Sequence, residues 1–336
     1  MLPLGFIIFP YIIILMKKIS IQKKIYNYFY FGFFYGLGFL LVFLSWIQNP
    51  FFTNDTTKNY AIVSLFLPIF LSLIFGVGFV FFKYLKKNYY LIFFTPFIFL
   101  AIEFVISNLF YGFPWLTFAL ILSNNLLGFY FLKSFGIYVS SYLILTIFII
   151  PFTIFFSKKY QNFKKLIVVV HFPFIIALLI ILNFNKNGEI QEKKLNFEVF
   201  QIFSPINNPN TKKIEKDIIN KVNNSNAEYL VFAENNYPYL ISDINNINIL
   251  SSIKDNKKVI IGSSRLDNKK LYNSFLYLEE NNVQAFDKEI LVPFGEFLPF
   301  RKYLKFMEGI TGNIDFTPGN TRRLIVTEHI NILPVI

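Results

Sequence analysis

The order of apolar and polar positions divides the chain into two unlike halves. In the first, apolar runs recur at 2–16, 28–48, 61–82, 89–108, 136–157 and 166–183. About 20 apolar residues in helical form cross the roughly 30 Å hydrocarbon core of a bilayer, so six spans are predicted. The first run is short and carries Pro10. Past "LNFNKNGEIQEKK" the pattern changes to alternating short elements. "KLNFEVFQIF" (194–203) reads as a strand, and "TKKIEKDIINKVNN" (211–224) has apolar residues at helical spacing. "AEYLVFAE" (227–234) reads as a buried strand that ends in an acid. "KKVIIGSSR" (257–265), "KLYNSFLYLEE" (270–280) and "NVQAFDK" (282–288) continue as strands, and "RRLIVTEHINILPVI" closes the chain as a hairpin. The expectation is a membrane domain over 1–184 followed by a layered α/β domain over 185–336.

Charge orients these halves. Residues 1–184 hold 13 Lys, no Arg and only Asp55 and Glu103 as acids, whereas 185–336 hold 19 basic and 18 acidic residues. Lys17, Lys18, Lys23 and Lys24 follow the first span; Lys83, Lys86 and Lys87 follow the third; Lys158, Lys159, Lys164 and Lys165 follow the fifth. Lysine-rich short loops stay in the cytoplasm, so these three loops face it and the second half lies outside. The loop "IQNPFFTNDTTKNY" balances Asp55 against Lys58 and belongs outside. The stretch 111–135 is also apolar, but as a further crossing it would put one lysine cluster on the wrong face. It is expected to lie at the outer interface, interrupted by Gly112, Pro114 and the asparagines Asn124 and Asn125. An uncharged N-terminus outside the membrane is the pattern expected where the natural start lies further upstream.

Composition then removes whole classes of chemistry. The net charge of +12 is concentrated in short loops between spans, which argues for a bilayer and against nucleic acid as the partner. With no cysteine, the 336 residues contain no disulfide, thiolate metal site or thiol nucleophile. His171 and His329 are too few for a histidine metal site, so no metal is expected. Glu103 sits inside an apolar span, where an acid takes a pairing or functional role, with a partner that sequence does not name.

Three charged residues fall where strands end: Glu234 in "VFAENNYP", and Lys288 and Glu296 in "FDKEILVPFGEFLPF". Strand ends are where loops of an α/β sheet converge on one crevice. A carboxylate beside an ammonium group can serve as general base while the ammonium steadies an oxyanion. Each residue taken alone also fits a solvated loop charge. Tyr272 and Asn273 fit either a pocket wall or a structural hydrogen-bonding pair. Trp46 and Trp115 suit the membrane interface as well as lipid binding.

Five motifs, "YGFPWL" (111–116), "AENNYP" (233–238), "YNS" (272–274), "DKEILVPFGEFLPF" (287–300) and "DFTPG" (315–319), stand in the order found in apolipoprotein N-acyltransferases. The chain resembles that family over nearly its whole length. The resemblance implies a polytopic α-helical membrane domain followed by a nitrilase-like αββα sandwich domain, incomplete at the C-terminus. It implies Glu234 as general base, Lys288 as oxyanion stabiliser and Glu296 as a second acid that orients the lysine or nucleophile. Tyr272, Asn273, Phe113 and Trp115 would then contact substrate. The nucleophile should be a cysteine after a strand like "INILPVI", one residue past Ile336, and a final span would follow. Ala233 stands where the family usually has proline, and Ser107 near a common arginine. The implied activity moves a fatty acyl group from a membrane phospholipid, through a cysteine thioester, to the α-amine of a lipid-modified N-terminal cysteine on an apolipoprotein. No cofactor is implied, and the implied location is the inner membrane with the catalytic domain in the periplasm. Two other readings stay open: a membrane-tethered amidase or nitrilase with water as acceptor, and a non-catalytic scaffold binding lipid or a partner. Without the cysteine, the chain as it stands is expected to be inactive.

Overall fold

A computed structural model describes residues 2–157 except 23, 54, 86–87, 110–112 and 125; residues 172, 173, 176, 179 and 180; and residues 195–334 except 204–209, 245–246, 254–256, 281, 321–323 and 327–329. The expected span 166–183 lies almost wholly outside the described residues, as do the lysines at 158, 159, 164 and 165, His171 and His329. The chain divides into two compact units, Met1–Thr53 with Lys58–Ile190, and Asn54–Thr57 with Gln191–Ile336.

The first unit is helical. Its α-helices are α1 (Leu2–Gln22), α2 (Ile25–Phe43), α3 (Phe66–Val80), α4 (Asn88–Asn108) and α5 (Leu126–Ser157), with 3₁₀ turns at Ser45–Phe52, Lys58–Leu65, Phe81–Tyr84 and Phe118–Asn124. Among the described residues, four stretches are long and apolar enough to cross a membrane: Ile25–Phe43, Lys58–Tyr84, Tyr90–Asn108 and Gly128–Phe152. Large apolar side chains such as Phe34, Val42, Phe66 and Phe81 point outward from these stretches, as helices solvated by lipid require. Inward, Phe75, Phe79, Phe99 and Phe148 are fully buried. The α2–α3 seam is close because Gly32 and Gly36 sit one turn apart on α2; a Cβ at Gly32 would lie 2.5 Å from Phe79 Cβ, and one at Gly36 2.7 Å from Phe75 Cβ.

The expected interfacial stretch contains the 3₁₀ turn Phe118–Asn124 and the first part of α5, and α5 breaks at Gly136, whose φ is 70°. Leu116 and Ala119 are buried, and Phe118 packs against Phe9 and Phe99. Glu103 is fully buried here, and its partners are now identified. Its Oε2 accepts from Phe118 N–H at 3.1 Å and its Oε1 from Ser141 Oγ at 2.8 Å, while Ser141 Oγ accepts from Ala119 N–H at 3.0 Å. One acid thus joins α4, α5 and the open N-terminus of the 3₁₀ turn, whose N–H groups have no partner within the turn.

The second unit is α/β. A five-stranded sheet has the order β1 (Phe197–Phe200), β2 (Tyr229–Phe232), β3 (Lys258–Asp267), β4 (Lys270–Glu279), β5 (Asn282–Asp287). The first three are parallel and the last two pairings antiparallel. Four of the five strands fall within the segments that alternation predicted, and β3 runs two residues past its predicted end at Arg265, to Asp267, where the hairpin turn begins. Helix α6 (Thr211–Asn224) matches its expected range, capped by Asn210, whose side chain accepts from Lys213 N–H at 3.0 Å. Its Ile214, Ile218 and Val222 recur every four residues and pack on one face of the sheet with Leu230, Val259, Ile261, Leu276 and Leu278. The opposite face carries Ile260, Tyr277 and Phe286, covered by Ile325 and Ile332 of the antiparallel pair β6 (Ile325–Val326) and β7 (Asn331–Ile332). Between β3 and β4, Asn268 and Lys269 both have positive φ, the tight turn whose twist suits a two-residue hairpin.

Candidate active site

The site forms where β2 and β5 end and β4 begins. Glu234 lies two residues past β2, in a turn that passes over Gly262 of β3. A Cβ at Gly262 would fall 2.6 Å from Glu234 Cα, so only glycine permits this approach. Asn235 takes a left-handed conformation at φ 53°. The Asn236 side chain then fastens the turn to the chain just past β1, accepting from Ile202 N–H and donating to Ile202 C=O, each at 3.1 Å. The Tyr237 N–H donates to Gly262 C=O at 3.1 Å. Asn236 was legible only as part of "AENNYP"; nothing in its spacing reveals that it would pair with a backbone 34 residues earlier.

Lys288 follows β5 directly. Its N–H donates to Asn273 C=O and its C=O accepts from Gly319 N–H, both at 2.8 Å. Glu296 is presented by a compact turn: Gly295 and Glu296 N–H donate to Val292 C=O, Phe294 N–H donates to Phe297 C=O, and Phe294 has φ 63°. The "DFTPG" segment braces this turn, with Phe316 N–H on Glu296 C=O at 2.9 Å and Thr317 N–H on Leu271 C=O at 2.6 Å.

These three segments bring the charged groups together. Lys288 Nζ lies 3.0 Å from Glu296 Oε1 and 3.9 Å from Glu234 Oε1. Asn273 Nδ2 donates to Oε1 of both glutamates at 2.6 Å, and Glu296 Oε2 accepts from Val292 N–H at 2.7 Å. The Lys288 and Glu296 side chains are only 10% and 12% exposed, while Glu234 is 52% exposed. An inner ion pair is therefore set beside an outer carboxylate that solvent, or a substrate, can reach.

Of the residues expected at the site, Glu234, Lys288, Glu296 and Asn273 converge. Tyr272 does not join them, because adjacent residues of a strand point to opposite faces. Its ring lies 5.1 Å from the Arg265 guanidinium, in a network where Arg265 donates to Asp287 at 3.1 and 2.7 Å and Ser274 Oγ donates to Asp287 at 2.6 Å. Phe113 and Trp115 belong to the first unit, where Trp115 packs 5.1 Å from both Phe113 and Trp46.

Residues 1–150 match the family model described as the apolipoprotein N-acyltransferase N-terminal domain. Over that stretch, a little under half of its length, the chain is similar to the apolipoprotein N-acyltransferases. It is 24% identical to the apolipoprotein N-acyltransferase of Rickettsia prowazekii (strain Madrid E) over 336 residues, covering 91% of this chain and 65% of that relative. The corresponding Rickettsia bellii (strain RML369-C) protein is 28% identical over 324 residues, 86% of this chain and 61% of its own length. That of Helicobacter pylori (strain ATCC 700392 / 26695) is 29% identical over 139 residues, 39% of this chain and 33% of the relative. The chain thus covers less than two thirds of each of these apolipoprotein N-acyltransferases. A multi-pass membrane unit followed by an α/β unit fits this likeness.

Proposed function

We propose that the second unit supplies the acid–base half of an N-acyltransferase site that works on two membrane-anchored substrates. The observation that carries this is the convergence of Glu234, Lys288 and Glu296, and the names of the relatives supply the reaction class. In the first step a thiolate attacks the ester carbonyl of a phospholipid acyl chain. A carbon–sulfur bond forms, the ester carbon–oxygen bond breaks, and a lysophospholipid leaves with a proton on its released hydroxyl. In the second step the α-amine of a diacylglyceryl-modified N-terminal cysteine attacks the thioester; an amide forms and the thiol is regenerated.

Glu234, being open to solvent, takes the thiol proton and later that of the amine. The Lys288 ammonium faces the carbonyl oxygen as negative charge develops on it. Glu296 holds that ammonium in place from behind. Residues 1–336 contain no cysteine, so this chemistry requires a thiol that these residues do not include. Lysines in the loops after α1 and α3 support a placement in the cytoplasmic membrane with the α/β unit outside, where both lipid-anchored substrates are reached without extraction.

The test is product analysis. Full-length protein in phospholipid vesicles with a diacylglyceryl lipopeptide should yield lysophospholipid and N-acyl lipopeptide in equal amounts. Release of free fatty acid or ammonia in their place would indicate a water-using hydrolase, and no turnover at all a scaffold. Glu234→Ala and Lys288→Ala should each abolish product, and undiminished N-acylation by either removes that residue from the mechanism.

A further inference from the structure

The side-chain amide of Asn273 has an unusual assignment of its bonds. Asn273 is 2% exposed, and both hydrogens of its Nδ2 serve carboxylates, Glu234 Oε1 and Glu296 Oε1. Those same two oxygens face Lys288 Nζ at 3.9 and 3.0 Å. Asn273 and Lys288 therefore occupy opposite corners of a closed ring, with one carboxylate oxygen at each of the other two. The Asn273 Oδ1, in contrast, is buried with no partner among the described residues. Turning the amide over would satisfy nothing: it would press Oδ1 against two anionic oxygens and forfeit two charge-assisted bonds. The carboxylates thus dictate the orientation, and the carbonyl is left unpaired as a result. A buried asparagine that served only the fold would be expected to pair both ends.

We propose that Asn273 is a positioning residue that holds the Glu234 carboxylate at a fixed separation from Glu296, so that the half-exposed base stays aimed at the reacting groups. The separation from Lys288 is too long for a hydrogen bond, so the ammonium alone does not tether Glu234. Without the amide, two like charges face each other and the outer one is free to turn to solvent. The proposal rests on the acyl-transfer function, and it assigns Asn273 a task on the enzyme's own carboxylates in place of the substrate contact expected from sequence.

A double-mutant cycle on full-length enzyme in phospholipid nanodiscs tests it, reading the single-turnover rate of acyl-thioester formation, the KM for phospholipid and the thermal midpoint. Asn273→Ala should slow thioester formation about 100-fold, the scale of a misdirected general base, with KM within about threefold. Asn273→Asp, nearly isosteric, should be slower still, because it adds a third carboxylate. In a Glu234→Gln background, Asn273→Ala should add little further loss, since the group it positions keeps an acceptor oxygen but no longer serves as a base. Equal losses in both backgrounds, or an Asn273→Ala rate within about threefold of wild type, would overturn the proposal. If Asn273→Ala fails to fold, Asn273→Asp carries the same cycle. A wild-type enzyme that forms no thioester removes the acyl-transfer function itself, an outcome distinct from an active wild type with an indifferent Asn273.

Discussion

Lys288 stands where it does because the residue before it is gripped on the other face of the sheet. Arg265, Ser274 and Asp287 lock the end of β5, and the Arg265 side chain is only 16% exposed. Arg265→Met should therefore lower stability by about 1–3 kcal/mol by leaving Asp287 short of donors, whereas Tyr272→Phe, which keeps the ring beneath the guanidinium, should stay within about 0.5 kcal/mol. Thermal unfolding of the two variants in detergent checks the contrast. That Glu234, Lys288 and Glu296 belong together was legible in sequence only through the motifs "AENNYP" and "DKEILVPFGEFLPF", because a charge at a strand end taken alone fits a solvated loop as well. That Asn273 meets the carboxylates while Tyr272 stacks by Arg265 was not, although the period of two that separates them is written in the strand. What sequence lacked was the register that decides which face meets the carboxylates.

At the level of elements, strands and α6 followed directly from periodicity, while the connections that make the site did not. The approach of β3 to the Glu234 turn depends on Gly262, one small residue whose neighbour is about 28 positions away. Gly262→Ala should displace Glu234 and cut acyl-thioester formation by about tenfold or more, in line with the sensitivity of catalysis to a misplacement of about 1 Å; rapid-quench kinetics would read it. The loop that carries Glu296 is fastened further on by Arg301, which pairs with Asp315 and donates to Glu308 at 3.0 Å, while Asp315 also accepts from Leu298 N–H at 2.8 Å. The hydrogen bonds from Arg301 hold the Asp315 carboxyl below the ordinary aspartate range. Its folded pKa is thus lower than its unfolded one, so the stabilisation is fully present above the unfolded value and is lost as pH falls through the folded value. Thermal midpoints of wild type should fall more steeply below about pH 4 than those of Asp315→Asn, which lacks this titration. In the first unit, Glu103→Leu should destabilise by roughly 1–3 kcal/mol by orphaning Phe118 N–H and Ser141, and Glu103→Gln by less, because one acceptor remains; thermal unfolding of the two variants compares them. Sequence showed that Glu103 needed a partner, but a bond to a backbone N–H 15 residues away leaves no trace in side-chain pattern.

The whole molecule couples a lipid-embedded helical unit to an α/β unit that holds the charges, and that division was the most legible feature of all, since lysine placement and the switch in periodicity both mark it. An alkaline phosphatase fused after residue 190 should be active, reporting an extracytoplasmic α/β unit, and a silent fusion would reverse the assigned orientation. On the proposed function, Lys288 and the two glutamates around it drive acyl transfer from phospholipid. Full-length protein in vesicles of deuterated-acyl phospholipid, without acceptor, should accumulate close to one hydroxylamine-labile deuterated acyl group per molecule by intact-mass spectrometry, and Lys288→Met should accumulate none on the same time scale. Equal acylation of wild type and Lys288→Met, or a wild type that stays unmodified, would contradict it.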